Sequence, residues 1–243
     1  VLMMKATCGR YHAKGEWREK ICYREEAERG ESYLDDCYQP GWFETDVNAN
    51  GNESFAIITV TDKKEDTARE VLAEVPVTMY DIEGLCDRET ERRGNLLTKF
   101  YEGHEGIPAS DWLSWLILAA DMFIVKGMNG EQASVIAGYH WFGTWGRDAF
   151  ISLPGLMLVT GRFEDARRVF LTFKEHCKDG LIPNFFSEQA IEPAYNSVDA
   201  TLWYVNAVLQ YLKHTADFRF VQEQLWENLK TIMENHARGT VFN

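Results

Sequence analysis

The chain has 243 residues and a net charge of −13, with 38 Asp and Glu against 25 Lys and Arg. Such an acidic surface repels phosphate backbones, so nucleic acid is excluded as the expected partner, while a neutral ligand is admitted. At 45% hydrophobic and 26% charged residues the chain can bury an ordinary core, and its length suits one large domain or parts of two.

Residues 1–62 carry short strand candidates, the clearest being Ser54–Thr61, which is rich in β-branched and aromatic residues. The Asn48–Asn52 cluster before it reads as a turn, and Pro40–Gly41 breaks any helix. The charged stretch Arg24–Tyr38 reads as an exposed helix followed by an edge segment. The five cysteines, Cys8, Cys22, Cys37, Cys86 and Cys177, are odd in number and widely spaced. They suggest free buried thiols in a reducing cytoplasm rather than a disulfide framework or a zinc cluster. No apolar run is long enough for a membrane span, and the first residues lack a signal-peptide pattern.

From Lys63 the pattern turns helical. Thr61 and Asp62 can cap Lys63–Glu74, and Pro76 marks a break. Residues 79–102 carry apolar positions at helical spacing. Ser110 and Asp111 can cap Trp112–Val125, where Trp112, Trp115, Leu116, Ala119 and Phe123 share a face. After a connection at Gly127–Gly138 come Arg147–Val159, closed by Gly161, and Phe163–Cys177, closed by Gly180. Asn196–Lys213 and Asp217–Arg238 follow. Helix, loop, helix without alternating strands disfavours a parallel α/β sheet and favours an array of helical hairpins. No fixed-period repeat is present, which favours an α/α toroid over a solenoid.

Three segments can carry chemistry. In Trp141–Asp148, Gly143 and Gly146 loosen the backbone before a helix whose first turn holds Asp148. Arg147 offers a donor fork and Asp148 an acceptor, the two partner types that a sugar hydroxyl needs. Trp141, Phe142 and Trp145 can pack on the apolar face of a pyranose ring. An N-terminal Asp, a local salt bridge and core tryptophans explain the same residues, and both readings stay open at this level.

The second segment, Leu181–Phe186, is a loop between Gly180 and Ser187, either packing two Phe under the preceding helix or rimming a cleft. In the third, Asn196 or Ser197 can cap a helix with Asp199 in its first turn. Asp148 and Asp199 thus hold equivalent places on two helices. In a toroid such ends can face one cleft, and glycoside hydrolysis usually needs two carboxyl groups. Capping explains both acids as well. The six His show no paired-ligand spacing, so no metal or other cofactor is expected.

The string from Tyr139 to Leu156 around Trp145-Gly146-Arg147-Asp148 resembles the glycogen debranching enzyme family, in its amylo-α-1,6-glucosidase part. Gly180–Asn184 and Tyr195–Tyr204 resemble it in the same order. Residues 24–41 are similar to the end of the β-rich domain that precedes the catalytic domain in prokaryotic members. The resemblance implies a β-rich, sandwich-like domain ending near residue 62, then an (α/α)6 toroid from residue 63. It implies hydrolysis of α-1,6-linked glucose at glycogen branch points, with inversion. It also relates the site to glucoamylase-like enzymes, in which an Arg-Asp pair after a Trp holds the terminal glucose. Carried over, Trp141, Trp145, Arg147 and Asp148 bind substrate, and Asp199 is a cleft residue and a weaker candidate acid.

The family's later Thr-Trp-Met-Asp and Val-Glu-Ile-Asn segments, the places for the general acid and a second carboxylate, do not occur before Asn243. Six or seven helices follow residue 63, against twelve in a closed toroid. The chain is therefore expected to be a fragment holding about half a toroid, its apolar faces covered by the missing half or by a second chain. The expected partner is an α-glucan. Two other readings are a glucoamylase-like or trehalase-like α-glucosidase, and a noncatalytic glucan-binding module.

Overall fold

The β-branched run Ile57–Thr61 (β4) pairs antiparallel with Leu2–Ala6 (β1), in register from Leu2 opposite Thr61 to Ala6 opposite Ile57. These elements come from a computed structural model, which describes residues 1–47, 55–75, 78–126, 132–139, 142–186 and 192–240. The expected turn at Asn48–Asn52, and with it Ser54, lies outside them, as do His140 and Trp141. The chain divides into two compact units, Val1–Thr90 and Glu91–Asn243.

In the first unit a long hairpin joins Arg10–Cys22 (β2) to Leu34–Glu44 (β3). The exposed helix read in Arg24–Tyr38 is a single short turn, Arg24–Glu28 (α1), and the rest is strand. Pro40 and Gly41 end no strand. Proline is tolerated at a strand edge, and a Cβ on Gly41 would lie 2.2 Å from the His12 carbonyl oxygen, so only glycine lets the strands approach there. Glu65–Glu74 (α2) packs on β1 and β4 with Ala68 fully buried. Lys5 Nζ donates to the Leu72 carbonyl at 3.2 Å. Met79–Gly103 (α3) contains the division between the units.

The second unit is mainly helical. It contains Asp111–Met122 (α4), Gly146–Leu153 (α5), Phe163–Glu175 (α6), Asp199–Thr215 (α7), Phe218–Phe220 (α8) and Trp226–Arg238 (α9). Pro154 has no N–H to continue α5 regularly, and the chain widens into a π-helical stretch at Pro154–Leu158, where Val159 N–H reaches the Pro154 carbonyl at 2.9 Å. Gly161, with φ of +70°, then turns the chain as expected. Asp217 caps α8 by accepting from Phe220 N–H at 3.2 Å.

The core lies between α5, α6 and α7. Phe150, Phe173, Tyr204 and Tyr211 are fully buried, with ring centroids 4.6 Å apart for Phe150 and Phe173 and 5.1 Å for Phe150 and Tyr204. Each such ring taken out of water contributes about 2–3 kcal/mol.

Two differences from the sequence reading concern α4 and its surroundings. The shared face of Trp112, Trp115 and Leu116 is exposed, and Ile117 is the buried residue of this helix. The helix also stops at Met122 rather than Val125. Ile124–Lys126 (β5) pairs instead with Ala133–Val135 (β6), because β-branched residues on both segments suit a pleated surface.

Candidate active site

Thr144–Trp145 (β7) runs directly into α5 and pairs antiparallel with Phe185–Phe186 (β8). An isolated bridge ties Ile136 to Thr144, and another ties Phe185 to Ala194. The second sequence segment, Leu181–Phe186, is therefore hydrogen-bonded to the first. Gly146 N–H, an open donor at the start of α5, gives its bond to the Asn184 carbonyl at 2.8 Å. The loop is fixed from the other side by Ile182 N–H, which donates to the buried Thr201 hydroxyl of α7 at 2.9 Å.

Helix α5 has two faces. Gly146, Ala149, Phe150 and Leu153 point into the core. Arg147, Asp148, Ile151 and Ser152, at helical spacing on the other side, line a cleft of about 380 Å3. Its remaining wall comes from Phe123, Val135, Ile136, Ala137 and Leu156. The cleft is thus mostly apolar, with Arg147, Asp148 and Ser152 as its polar side chains, a common composition for a small-molecule site. The wall residues escaped sequence reasoning. The recurrence of Ile151 and Ser152 one turn after Arg147 and Asp148 is the signal that could have found part of them.

Asp148 stands exposed in the first turn of α5, where the helix dipole favours its charge. No side chain caps α5. Arg147 does not pair with its neighbour in sequence. It reaches the first residue of α7: Nε and Nη2 donate to the two carboxylate oxygens of Asp199, each at 2.8 Å. Nη2 also lies 3.4 Å from Ser197 Oγ, and Ser197 donates to Asp199 Oδ1. The N-cap residue of α7 is Val198, without a side-chain cap, rather than Asn196 or Ser197, but Ser197 Oγ accepts from Ala200 N–H at 3.3 Å. The hydrogen bonds from Arg147, then from Ser197, hold the Asp199 carboxyl down at about 2. The same pairing raises the Arg147 guanidinium.

Trp145 packs at 5.2 Å from Phe185 and 6.4 Å from Phe142, and its indole Nε1 is buried without a hydrogen-bond partner among the described residues. Trp141 lies outside the described residues. Among the described residues, no group of three His, Cys, Asp or Glu side chains is gathered as a metal site would require, and no helix is long and apolar enough to cross a membrane.

Residues 118–243 match the family described as amylo-alpha-1,6-glucosidase, and residues 1–54 match the glycogen debranching enzyme N terminal family. A relative in Saccharomyces cerevisiae named glycogen debranching enzyme is 43% identical over 82 residues, which are 33% of this chain and 5% of the yeast protein. The chain therefore spans a small part of that relative's length. The match at residues 118–243 holds the cleft, both acids and Arg147, and the chain belongs to the glycogen debranching enzyme family.

Proposed function

We propose that this chain contributes the first sugar subsite of a debranching glycosidase that hydrolyses α-1,6-glucosidic branch linkages of glycogen or a related α-glucan, with inversion. The observation that carries the proposal is the opening of Arg147 and Asp148 together on one mostly apolar cleft, in a chain of this family. The guanidinium donates to sugar hydroxyls and the carboxylate accepts from them. The apolar wall takes the C–H face of the ring. Trp145, packed between Phe185 and Phe142 immediately before α5, and Trp141 of the same segment are the aromatic residues proposed to add to this apolar face.

The wider fold proposed is an (α/α)6 toroid preceded by a β-rich domain. The helical second unit and the strand pairs of the first support it. The remaining helices, with the general acid that protonates the glycosidic oxygen and the base that activates water, belong outside residues 1–243 in this reading. The compartment proposed is the cytoplasm, where the thiols of Cys8, Cys22, Cys37 and Cys86, exposed rather than buried as the sequence suggested, stay reduced.

The test is glucose release by the complete protein from a branched limit dextrin and, separately, from a linear α-1,4 maltooligosaccharide. Release from the dextrin, lost in Asp148→Asn, is expected. Release from the linear substrate alone would move the assignment to a glucoamylase-like enzyme. Binding of both with turnover of neither would leave a noncatalytic glucan-binding module.

A further inference from the structure

Arg147 has five N–H donors, and the structure accounts for three of them. Nε and one N–H of Nη2 are taken by Asp199, and the second N–H of Nη2 is directed at Ser197. Nη1 keeps both of its donors, without a hydrogen-bond partner among the described residues. A guanidinium held by a two-pronged carboxylate pair is fixed in plane and in rotation, because both parallel bonds must be kept at once. Asp199 is in turn fixed by Ser197 and by its place at the start of α7. The side chain that projects from α5 into the cleft is therefore set by a residue of a different helix.

This answers what Asp199 does at a site where two acids stand on neighbouring helix ends. Both of its oxygens are engaged by Arg147, whereas Asp148 lines the cleft itself. We infer that Asp199 is a positioning residue: it holds the Arg147 guanidinium so that Nη1 and the Asp148 carboxylate present a fixed donor and acceptor to the hydroxyls of one glucose. The inference rests on the subsite proposed above and assigns Asp199 no contact with the reacting atoms.

A residue that only joined α5 to α7 would affect stability and nothing else. A residue that transferred a proton would affect turnover and leave binding intact. The positioning role differs from both. In the complete protein, maltotetraose is the probe, with its dissociation constant measured by calorimetry alongside KM and kcat on limit dextrin. Asp199→Asn keeps a hydrogen-bond acceptor but loses the charge and the symmetric fork. It is expected to weaken maltotetraose binding and raise KM about ten-fold or more, as loss of a charge-assisted bond does. Arg147→Lys should give a similar loss, since an ammonium cannot reproduce the fork. The double variant should be little worse than either single one, because the two act as one unit.

A fall in kcat of about a thousand-fold or more with unchanged binding would make Asp199 an acid or base and overturn the inference. Unchanged binding and kinetics with a lowered melting temperature would overturn it in favour of a structural tie. Additive losses in the double variant would overturn it as well. If the wild-type protein itself binds no maltotetraose, the subsite reading fails instead, a result that no Asp199 variant can imitate.

Discussion

Gly146 and Asn184 are joined by a 2.8 Å backbone hydrogen bond, and the approach is so close that a Cβ on Gly146 would lie 2.3 Å from the Pro183 carbonyl oxygen. The obstacle is backbone, which cannot swing aside as a side chain does. Helix α5 can begin at this point only because residue 146 has no side chain. The Gly146 N–H would otherwise be an unpaired donor at a buried helix start.

Gly146→Ala should therefore displace the 183–184 loop or the first turn of α5, although alanine is the better helix former. We expect a loss of about 1–3 kcal/mol by chemical denaturation, the usual range for forced overpacking. Glucan affinity should fall with it, because Arg147 and Asp148 follow immediately in the same turn. A Gly146→Ala protein as stable as wild type would show that the loop yields freely and that the close approach is incidental.

That junction also marks how far the sequence could be read. Glycines before an acidic first turn identified the start of α5, and Ser197 ahead of Asp199 identified the start of α7, because capping and helix-dipole preferences are local. The resemblance around Trp145–Asp148 identified the family. What the sequence did not contain was pairing between segments about 40–50 residues apart. Nothing local says that Arg147 turns to Asp199 rather than to Asp148, or that Leu181–Phe186 lies beside β7. The short β5–β6 hairpin was hidden for a related reason: Ile124 and Val125 continue the apolar pattern of α4, and only their partners in β6 make them strand. The exposed Trp112 and Trp115 invert the usual expectation for an apolar helix face.

A second prediction concerns acid. Asp199 has a carboxyl held at about 2 in the folded chain, with Arg147 the main cause, whereas an unfolded Asp titrates near about 3.9. A depressed carboxyl stabilises the fold above its unfolded value, and that contribution disappears as pH falls through the folded one. The stability difference between wild type and Asp199→Asn should thus be constant from pH 8 to pH 5 and shrink below about pH 4. A difference that changes near pH 6 instead would show that some other group controls the Arg147–Asp199 pair.

The third prediction separates two kinds of ion pair. Asp121 receives Arg92 at 2.6 Å and also Arg162, which itself bonds Asp165 at 2.7 Å. Burial pushes the Asp121 carboxyl up, but the two guanidinium groups outweigh it and hold the carboxyl below its ordinary value. Asp121 is only 15% exposed, so Asp121→Asn takes from Arg92 and Arg162 the carboxylate they share at a mostly buried position. We expect about 1–3 kcal/mol of destabilisation. The Arg219–Glu223 pair, one helical turn apart at 2.8 Å, is mostly exposed, and Glu223→Gln should cost under about 0.5 kcal/mol. Equal losses by thermal or urea unfolding would remove the distinction.

The fourth prediction contrasts two buried tyrosines on α7. Tyr211 donates to Asp217 at 2.8 Å and accepts from Arg167 Nε at 2.7 Å, so its hydroxyl is satisfied on both sides. Tyr204 is equally buried and packs edge-on against Phe150 and Phe170, but its hydroxyl has no partner among the described residues. Burial accordingly drives its phenol far up from the ordinary value. Removing a satisfied hydroxyl costs the bonds it makes, whereas removing an unsatisfied one relieves the cost of having dehydrated it. Tyr211→Phe should destabilise the protein by about 1–3 kcal/mol, while Tyr204→Phe should be neutral or stabilising by about 1 kcal/mol. Both rings stay in place, so packing is held constant and the hydroxyl alone is tested. If Tyr204→Phe instead loses as much as Tyr211→Phe, the Tyr204 hydroxyl is hydrogen-bonded in solution, and a buried water between α7 and its neighbours becomes the partner to look for.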